Sequence, residues 1–572
     1  MDLRLNQLKR VLILLILMGT VTELQSQEVP NMILLNGKIV TVDDFFSIQQ
    51  AVAIQGERVS AVGSNEFIES LAGSETRVVD LEGRTVIPGL IDNHNHVIRA
   101  TEYWPNEARL DGISSRVEAL AQLEAKVSEL SDGEWLMSLG GWTENQFAGD
   151  KSDFTLKELD ELASDRPVFI QSTYDHAFGN TAWFNEMGIT LQAGFAERSS
   201  AKGLASYVVR DETGMVTGRL NGGMPMVVSA IEHFPVVTAE RQKEAISETF
   251  TYLNSIGLTT VYDPAGAGIK GDSYARIEAL SLENGLTVRV FYTLSPLTFE
   301  ERLAQDAVQK IIDEIDGKTP FQGNHEIDMI AIGESYYSPF HRDSLFTPTS
   351  PTATDLEAGR RILSAAAEGG WSVQTHSSRP ETIDILLDVI ETVNKDFPLR
   401  QLRWSITHAD MVGREQIERM RHLGMNLQMR SISVLHQPRR GVLIEQMGED
   451  GYKVPPLRMI QDSGIPWGLG TDGTKAAQIN PFITLWWAVT GLALNGELVL
   501  SETISREEAL IAHTRSNAYL MFQEGNIGSI RPGLLADILV LDRDYLTVTE
   551  NEIRDIKPVA TIVGGKVAWG SL

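Results

Sequence analysis

The chain has 572 residues, a formal net charge of −28 and no cysteine. A surface this acidic repels phosphate, which excludes nucleic acid and anionic membranes as expected partners. Without cysteine there is no disulfide, thiolate metal site or cysteine nucleophile, so a transition-metal site has to use histidine and carboxylate side chains. The length exceeds one ordinary domain and fits a large barrel with a smaller domain attached.

The N-terminal residues 1–26 have the layout of a secretory signal peptide. Basic residues precede an apolar run at 11–18, and small polar residues then lead to Ser26. The apolar run is shorter than the ~18 residues of a membrane span. We therefore expect an exported protein, periplasmic or secreted, whose mature form has no stable membrane span. An uncleaved membrane anchor is the alternative.

Both ends of the remaining chain have the pattern of short strands separated by turns. Asn36-Gly37 interrupts the apolar run in "MILLNGKIVTVDD", which is a strong hairpin signal, and Gly564-Gly565 has the same place in "VATIVGGKVAWG". We predict that residues 27–85 and 523–572 together form one small β-sandwich domain.

The middle of the chain, residues 86–522, alternates apolar strands with helical segments. Amphipathic stretches such as "GREQIERMRHLG" end in glycine, as helices do. The candidate strands lie at 86–93, 258–264, 286–295, 327–335, 371–376, 402–408, 425–430 and 466–472. Eight strand–helix units predict a (β/α)₈ TIM-like barrel, with an open doubly wound sheet as the alternative. Residues 97–245 break this rhythm and predict an insertion that caps or lines the active site.

Several predicted strand ends carry a side chain that can bind a metal. These residues follow the first strand or end the fifth, sixth and eighth strands: His94, His96, His376, His408 and Asp472. Two histidines at positions i and i+2 of an extended chain point the same way, so both can reach one ion. Because barrel enzymes place their chemistry at the carboxyl ends of the strands, the pattern predicts a divalent-metal site. A hydrogen-bonded structural histidine is the alternative for any one of them.

These motifs resemble those of the amidohydrolase superfamily, in particular the amidohydrolase family 3 group of enzymes like N-substituted formamide deformylase. The resemblance covers nearly the whole chain after the signal and rests on the two β-rich ends, "VIPGLIDNHNH", "GGWTENQF", "RPVFIQSTYDHAFGNTAWFNEMGI", "ITHAD" and "GLGTDG". It implies a metal-dependent hydrolase that cleaves a carbon–nitrogen bond other than a peptide bond. The implied partner is a small-molecule amide or cyclic amide.

The resemblance also implies roles for individual residues. His94, His96, His376, His408 and Asp472 would surround one or two divalent ions, with zinc expected first and manganese or iron as alternatives. Asp472 and His408 would be catalytic, with Asp472 taking a proton from the attacking water and passing it to the leaving group. His176 and Asn180, in "YDHAFGN", would contact the substrate.

The fourth strand departs from the family pattern. Ile330 stands where binuclear members carry a carboxylated lysine that bridges two metals, and Glu334 stands where they carry an aspartate. Either the site holds one ion, or Glu334 becomes a carboxylate ligand. Arg379 and Arg430 also replace the usual turns after the fifth and seventh strands. An arginine there either clamps an anionic substrate group or pairs with an acidic neighbour.

Aromatic residues in the segments predicted at the mouth, Trp142 and Tyr336 among them, suggest a pocket wall, with core packing as the alternative. We therefore assign substrate contacts to Trp142, Tyr336 and Arg430 besides His176 and Asn180. Three alternative functions stay open: a deaminase, a lyase or isomerase on the same scaffold, and a degenerate binding protein without activity. A homodimer also stays open.

Overall fold

A computed structural model describes residues 29–192, 203–265, 269, 271–297, 301, 304–431 and 440–572. The predicted signal peptide lies outside these residues. Within them, no helix has the length and apolar character needed to cross a membrane.

The strands and helices are short and alternate along most of the chain. The strands are β1 (Met32–Leu35), β2 (Lys38–Val40), β3 (Ile48–Gln49), β4 (Ala51–Gln55), β5 (Arg58–Gly63), β6 (Arg77–Asp80), β7 (Thr85–Pro88), β8 (Leu90–Asp92), β9 (Leu136–Leu139), β10 (Val168–Ser172), β11 (His176–Gly179), β12 (Val208–Arg210), β13 (Val216–Asn221), β14 (Leu258–Asp263), β15 (Arg289–Leu294), β16 (Ile327–Ile332), β17 (Ser372–Ser377), β18 (Ser405–His408), β19 (Asn426–Arg430), β20 (Trp467–Gly470), β21 (Ile538–Leu541), β22 (Pro558–Val563) and β23 (Lys566–Gly570). The α-helices are α1 (Asn65–Glu69), α2 (Arg116–Glu129), α3 (Leu156–Leu162), α4 (Thr181–Met187), α5 (Gly223–Ile231), α6 (Ala239–Ser255), α7 (Ala275–Asn284), α8 (Ala307–Asp316), α9 (Ala353–Glu368), α10 (Pro380–Asp396), α11 (Arg414–Leu423), α12 (Arg440–Met447), α13 (Leu457–Ser463), α14 (Pro481–Thr490), α15 (Arg506–Ala512) and α16 (Arg515–Leu520).

Strands from both ends of the chain build two small sheets, of order β5-β4-β1-β6 and β23-β22-β21-β7-β2-β3. In the second sheet the C-terminal β21 pairs antiparallel with the N-terminal β7. Gly564-Gly565 forms the predicted hairpin between β22 and β23. Asn36-Gly37 does not, because β1 pairs with β4 and β6 whereas β2 pairs with β3 and β7. There the chain passes from one sheet to the other, so long-range pairing overrides the local turn signal.

The predicted barrel is confirmed. Parallel strands in the order β20-β19-β18-β17-β16-β15-β14-β8 form a nearly closed ring, with helices between successive strands from β14 onward. The barrel strands are apolar along most of their length because they are buried on both faces; Val261, Val290, Ile406 and Leu427 have no exposed surface. Burial of such side chains stabilises the fold by about 1.5–3 kcal/mol each.

Between β8 and β14 the chain leaves the barrel and folds into a separate layer. Its sheet has the order β12-β13-β11-β10-β9, with α2 to α5 in the same stretch of chain. Phe169, Trp183 and Leu220 belong to one buried apolar cluster of this layer, and Trp142 and Phe178 belong to another. We call it the inserted layer.

Asp92 joins the first and last barrel strands. Its Oδ1 accepts hydrogen bonds from the backbone N–H of Thr471 (2.9 Å) and of His94 (3.1 Å). Its Oδ2 accepts from the hydroxyl of Thr471 (2.6 Å) and from Nδ2 of Asn95 (2.9 Å). The N–H of Asp472 then donates to the carbonyl of His94 at 2.8 Å. One fully buried carboxylate thus connects the end of β8 to the end of β20.

We expect Gly470→Ala to weaken this closure. A Cβ atom at position 470 would press against Oδ1 of Asn93 and lie 2.7 Å from Oδ1 of Asp92 and 2.9 Å from the nitrogen of His94. Crowding of this kind in a packed interior costs about 2–3 kcal/mol, measurable as a lower free energy of unfolding in denaturant. Gly441→Ala is the control, because a Cβ at that helical position meets no atom within 4 Å. Equal stability of the two variants would contradict the prediction.

Candidate metal centre

Six side chains converge at the carboxyl end of the barrel: His94 and His96 after β8, Glu334 after β16, His376 in β17, His408 at the end of β18 and Asp472 after β20. Oε2 of Glu334 lies 3.2 Å from Nδ1 of His376 and 3.3 Å from Nε2 of His408. Its Oε1 lies 3.5 Å from Nε2 of His96. Oδ1 of Asp472 lies 3.3 Å from the same nitrogen of His96 and 3.6 Å from Nε2 of His94. The structure thus brings together the five side chains that the resemblance implies and Glu334, which the sequence left open as a ligand.

The backbone around His94 and His96 aims both rings at the centre. The N–H of Asn95 donates to the carbonyl of Tyr262, and the N–H of His96 donates to the carbonyl of Gly473 at 2.6 Å. The intervening chain is therefore held between β14 and the segment after β20, with alternate side chains on one face.

Neighbouring groups also set the ring orientation of these two histidines. Nδ1 of His96 lies 3.2 Å from the carbonyl oxygen of Ala265, and Nδ1 of His94 lies 2.7 Å from the hydroxyl of Thr407. A carbonyl oxygen only accepts hydrogen bonds, so the contact with Ala265 uses an Nδ1–H donor of His96. Fixed tautomers of this kind are typical of histidines that bind metals.

His408 and Asp472 have left-handed backbone conformations, with φ of 73° and 60°. Such conformations cost non-glycine residues about 1–2 kcal/mol each. Hydrogen bonds from the N–H of Ala409 to the carbonyl of Ser377 and from the N–H of Asp472 to that of His94 hold the two turns. The strain lies at the two strand ends that deliver side chains to the centre, as is common at functional sites.

Burial and neighbouring charges shift the pKa values of these side chains. Burial opposes the charge of His376, but the hydrogen bond and charge of Glu334 raise its pKa. Burial lowers the pKa of His94 to about 3 and also lowers the pKa of His408, so both rings are neutral near pH 7. Burial raises the pKa of Glu334, but its electrostatic interaction with His94 and the hydrogen bonds of His376 and His408 outweigh it and hold the pKa well below its ordinary value. Neutral imidazoles and ionised carboxylates are the forms in which these groups bind metal ions.

The donor set fits a divalent cation. Nε2 of His94 and Nε2 of His408 face each other at 3.5 Å, and the carboxylates of Glu334 and Asp472 lie against both rings. Nitrogen and oxygen donors packed this closely repel one another unless a cation lies between them. Imidazole and carboxylate ligands suit zinc, manganese and iron. The two metal-binding triads His94–His96–Glu334 and Glu334–His376–His408 share Glu334.

Of the two interpretations of the fourth strand, the geometry favours the one in which Glu334 becomes a ligand. Ile330 has no exposed surface and packs with Ile91, Tyr262 and Phe291. Glu334 follows the strand, and its backbone is held on both sides: its N–H donates to the carbonyl of Pro264, and its carbonyl accepts from the N–H of His376. A carboxylate from the end of the strand thus reaches the place at which a lysine was expected.

The two unusual arginines have different surroundings. Arg430 lies at the centre, where Nη1 donates to Oδ2 of Asp472 at 2.5 Å and Nη2 donates to Oδ2 of Asp410 at 3.1 Å. It therefore holds the carboxylate of Asp472, rather than making the predicted substrate contact. Arg379 pairs with Glu381 at 2.9 Å, and Glu381 is exposed. Of the two alternatives that the sequence left open for Arg379, the structure shows the pairing with an acidic neighbour.

The structure corrects three other predicted substrate contacts. Trp142 has no exposed surface and packs between Phe147 and Phe154 in the inserted layer. Asn180 caps α4, and its side-chain amide donates to two carbonyls and accepts from two backbone N–H groups. Tyr336 is fully buried, and its hydroxyl lies 3.3 Å from that of Thr375. These residues support the structure around the centre.

His176 lies in a separate ionic cluster of the inserted layer. Its Nε2 is 2.9 Å from Oε1 of Glu144, and its Nδ1 is 3.2 Å from Oδ2 of Asp175. Burial opposes its charge, but the hydrogen bonds to Asp175 and Glu144 raise its pKa to about 9. Glu144 and His176 could bind a metal with Asp153, but a protonated imidazole is not a ligand, and Asp153 pairs with Arg219 at 2.6 Å. The cluster is therefore a structural ion pair.

Three residues beside the centre were not assigned a substrate contact from the sequence: Arg99, Tyr174 and Lys475. Arg99 follows His96 by three positions, and Lys475 follows Asp472 by three. The position of Arg99 and Lys475 just after the metal-binding segments is the sequence signal that could have identified these two residues. Nη1 of Arg99 donates to the hydroxyl of Tyr174 at 2.9 Å, and the ring of Tyr174 packs against Ala476 and Ala477.

The inserted layer clasps the segment 473–480, which follows Asp472. The N–H of Gly141 donates to the carbonyl of Lys475 at 2.8 Å, and Nη2 of Arg109 donates to the carbonyl of Thr474 at 2.9 Å. Oδ1 of Asp111 accepts from the N–H of Ile479 at 3.0 Å. Gly141 lies in the "GGW" motif, so one function of that motif is to let the two backbones approach closely.

A barrel with buried histidine and carboxylate side chains converging at its carboxyl end defines a metal-dependent hydrolase scaffold. The sequence profile of the amidohydrolase family matches residues 77–568, so the chain belongs to the amidohydrolase family. The predicted enzyme class, a metal-dependent hydrolase acting on carbon–nitrogen bonds, is confirmed.

The similar proteins have low sequence identity to this chain but match it along nearly their whole length. N-substituted formamide deformylase from Arthrobacter pascens is 24% identical over 560 residues, which cover 94% of this chain and 98% of that protein. Protein LONG AFTER FAR-RED 3 from Arabidopsis thaliana is 24% identical over 94% of this chain and 91% of that protein. An uncharacterized metal-dependent hydrolase from Pyrococcus horikoshii matches with a TM-score of 0.62, at 23% identity over 91% of this chain and 99% of that chain. This structural likeness establishes the fold alone.

We expect the stability of the protein to fall between about pH 6.5 and pH 9 through His176. Its pKa is about 9 in the folded chain and about 6.5 when unfolded. The stabilisation is therefore full below pH 6.5 and is lost as the pH rises through 9. The free energy of unfolding of wild type should exceed that of His176→Gln. Measured in denaturant, this difference should be about 2 kcal/mol larger at pH 6 than at pH 9.5. His422→Gln, at an exposed histidine, is the control. A pH-independent difference would contradict the assignment.

Proposed function

We propose that the protein is an exported amidohydrolase that uses water to cleave an amide or cyclic amide bond in a small molecule, at a centre of two divalent ions in which Glu334 replaces the bridging lysine. The observation that carries this proposal is the position of Glu334. Its Oε1 lies near His96, whereas its Oε2 lies near His376 and His408 and also within 3.6 Å of Nε2 of His94. A carboxylate that joins two groups of histidines is suited to bridge two cations.

In this proposal, each of the six side chains of the centre is a ligand of one or both ions. One ion would be held by His94, His96, Asp472 and Glu334, and the other by Glu334, His376 and His408. Bound there, divalent ions supply Lewis acidity, which acidifies water and polarises the substrate carbonyl. Zinc is the first expectation for this donor set.

Asp472 is the proton carrier of the proposed reaction. Burial raises its pKa, but the electrostatic interaction with His94, the hydrogen bond of His96 and the charge of Arg430 lower it below its ordinary value, so the carboxylate is ionised. Arg430 engages Oδ2 and leaves Oδ1 beside His96. Asp472 takes one proton from the attacking water as the carbon–oxygen bond forms. It returns that proton to the nitrogen as the carbon–nitrogen bond breaks, so the carboxylate is regenerated.

Two observations favour hydrolysis over a degenerate binding protein. All six candidate side chains meet within the buried centre, and the carboxylate that the reaction needs is already oriented by Arg430. The relative named N-substituted formamide deformylase supports an amide as the bond that is cleaved.

The test is metal content together with turnover. We expect about two equivalents of zinc, manganese or iron per wild-type chain by elemental analysis, and one or fewer in Glu334→Gln, because the shared ligand is lost. Asp472→Asn should keep most of its metal and lose at least ~100-fold in kcat on N-formyl and N-acetyl amides, since a carboxamide does not accept the proton.

Glu144→Gln is the matched control for the metal analysis, because Glu144 is a buried glutamate that contacts a histidine outside the centre. It should retain two equivalents. One equivalent in wild type would overturn the bridging role of Glu334. Less than one equivalent of metal in wild type, with no loss of thermal stability on chelation, would overturn the proposal that the protein is a metal-dependent enzyme.

Export is the part of the proposal that rests on the N-terminal sequence. The basic start and the apolar run at 11–18 support it. We expect the full chain, expressed in a bacterium with an outer membrane, to be recovered from the periplasm or medium with a new N-terminus after Ser26, as read by mass spectrometry. Replacing two apolar residues of the run with arginine should retain the chain in the cytoplasm. Cytoplasmic recovery of the wild type with residues 1–26 intact would contradict export.

A further inference from the structure

We propose that the substrate carries a carboxylate close to the bond that is cleaved, and that Arg99 and Lys475 bind it at the mouth of the barrel. The substrate class would be N-acyl amino acids and related amides or cyclic amides with a carboxylate group. This inference rests on the proposed function, because it names the substrate class of that same site.

Arg99 is fixed directly beside the metal centre. It ends the short turn Val97–Arg99 that follows His96. Its Nη2 donates to the carbonyl oxygen of Ala265 at 3.2 Å, and Nδ1 of His96 lies at the same distance from that oxygen. The guanidinium group therefore shares a contact atom with a candidate metal ligand. A group bound to Arg99 would lie next to the centre.

The charge of Arg99 has no direct carboxylate partner among the described residues. Its hydrogen bonds go to the phenol of Tyr174 and to the carbonyl of Ala265, which are neutral groups. Other buried arginines of this chain are paired: Arg109 with Glu107 and Asp111, and Arg289 with Asp537. A guanidinium group has five N–H donors in a planar fork that matches a carboxylate, and Arg99 leaves most of them available.

Lys475 is a second cation of the same kind. Only 8% of its surface is exposed, and no hydrogen bond or ion pair of its ammonium group occurs within the part of the chain that the structure describes. Burial lowers the pKa of Lys475 to about 8, so the group is still mainly charged at pH 7. The nearby carboxylate of Glu107 already contacts Arg109 at 2.6 Å.

The two cations lie within electrostatic range of one another, and Arg99 also lies within range of Glu334. The charge of Arg99 is one of the causes that lower the pKa of Lys475, after burial. Burial lowers the pKa of Arg99, but Tyr174, Glu334 and Asp263 more than compensate and raise it. Two unpaired, largely buried cations destabilise a folded protein unless an anion joins them. In a chain with 77 acidic and 49 basic residues, carboxylates for pairing are abundant, yet these two positions lack one.

Tyr174 and the inserted layer position these cations. The hydroxyl of Tyr174 accepts a hydrogen bond from Arg99, and its ring packs on Ala476 and Ala477, next to Lys475. The carbonyl of Lys475 is itself held by the N–H of Gly141. This region therefore presents one positive charge fixed beside the centre, that of Arg99, and a second within electrostatic range of it, that of Lys475. Such a pair suits an anion attached to the substrate.

The test compares matched substrates. N-formyl, N-acetyl and N-carbamoyl amino acids are assayed against their C-terminal carboxamides, which have the same shape without the charge. We expect the kcat/KM of wild type to be at least 10-fold higher for the acids. Arg99→Gln and Lys475→Met should each raise KM for the acids at least 10-fold, change kcat less, and raise KM for the carboxamides by a much smaller factor. Arg379→Gln, which alters a surface pair, should keep the preference for acids.

Binding is measured separately from turnover. In the metal-loaded Asp472→Asn protein, calorimetry with the same acids should show binding that weakens at least 10-fold when Arg99→Gln is added, with thermal unfolding confirming that both proteins are folded. Equal kcat/KM for acids and carboxamides would overturn the carboxylate proposal and leave the proposed hydrolase intact. Arg99-dependent binding without hydrolysis of any amide would overturn the hydrolase and retain the anion site. Absence of both binding and turnover of the acids would overturn the inference.

Discussion

The buried carboxylate of Asp92 is the constraint on which the rest of the site depends. It joins the end of β8 to the start of the segment after β20 by two hydrogen bonds from Thr471, and two more from His94 and Asn95 hold the turn after β8. Only glycine at position 470 leaves room for it. Since His94 and His96 follow one strand and Asp472 follows the other, this single contact sets their separation. Glu334 then meets the two histidines from the opposite wall of the barrel.

The sequence predicts those features that depend on local periodicity. The eight alternating strand–helix units are sufficient to predict the barrel. The two-residue spacing of His94 and His96 and the recurrence of His376, His408 and Asp472 at strand ends are sufficient to predict a metal-binding set. The position of Glu334 could not be predicted in the same way, because a carboxylate four residues beyond Ile330 reaches the centre only through the path of the backbone after β16. Asn36-Gly37 shows the opposite error, in which a strong local signal is overridden by pairing between distant strands.

Motif residues and functional residues are not the same set in this protein. Asn180 and Trp142 lie in the motifs that carry the family resemblance, yet one caps a helix and the other fills a core. A buried polar side chain and a substrate contact have the same appearance in one sequence, because only the surrounding structure shows whether its hydrogen bonds are already used. Arg99 and Lys475 are the converse case: no motif marks them, and their distinguishing property is the lack of a direct carboxylate partner among the described residues.

The clasp between the inserted layer and the segment 473–480 has a consequence for how such an enzyme can diversify. Backbone contacts from Gly141 and side-chain contacts from Arg109 and Asp111 hold the segment that begins one residue after Asp472. The inserted layer is therefore part of the frame that aims the proton carrier, rather than an interchangeable cover. A lineage that reshapes this layer for a new substrate has to preserve the clasp, so specificity and catalytic geometry are inherited together.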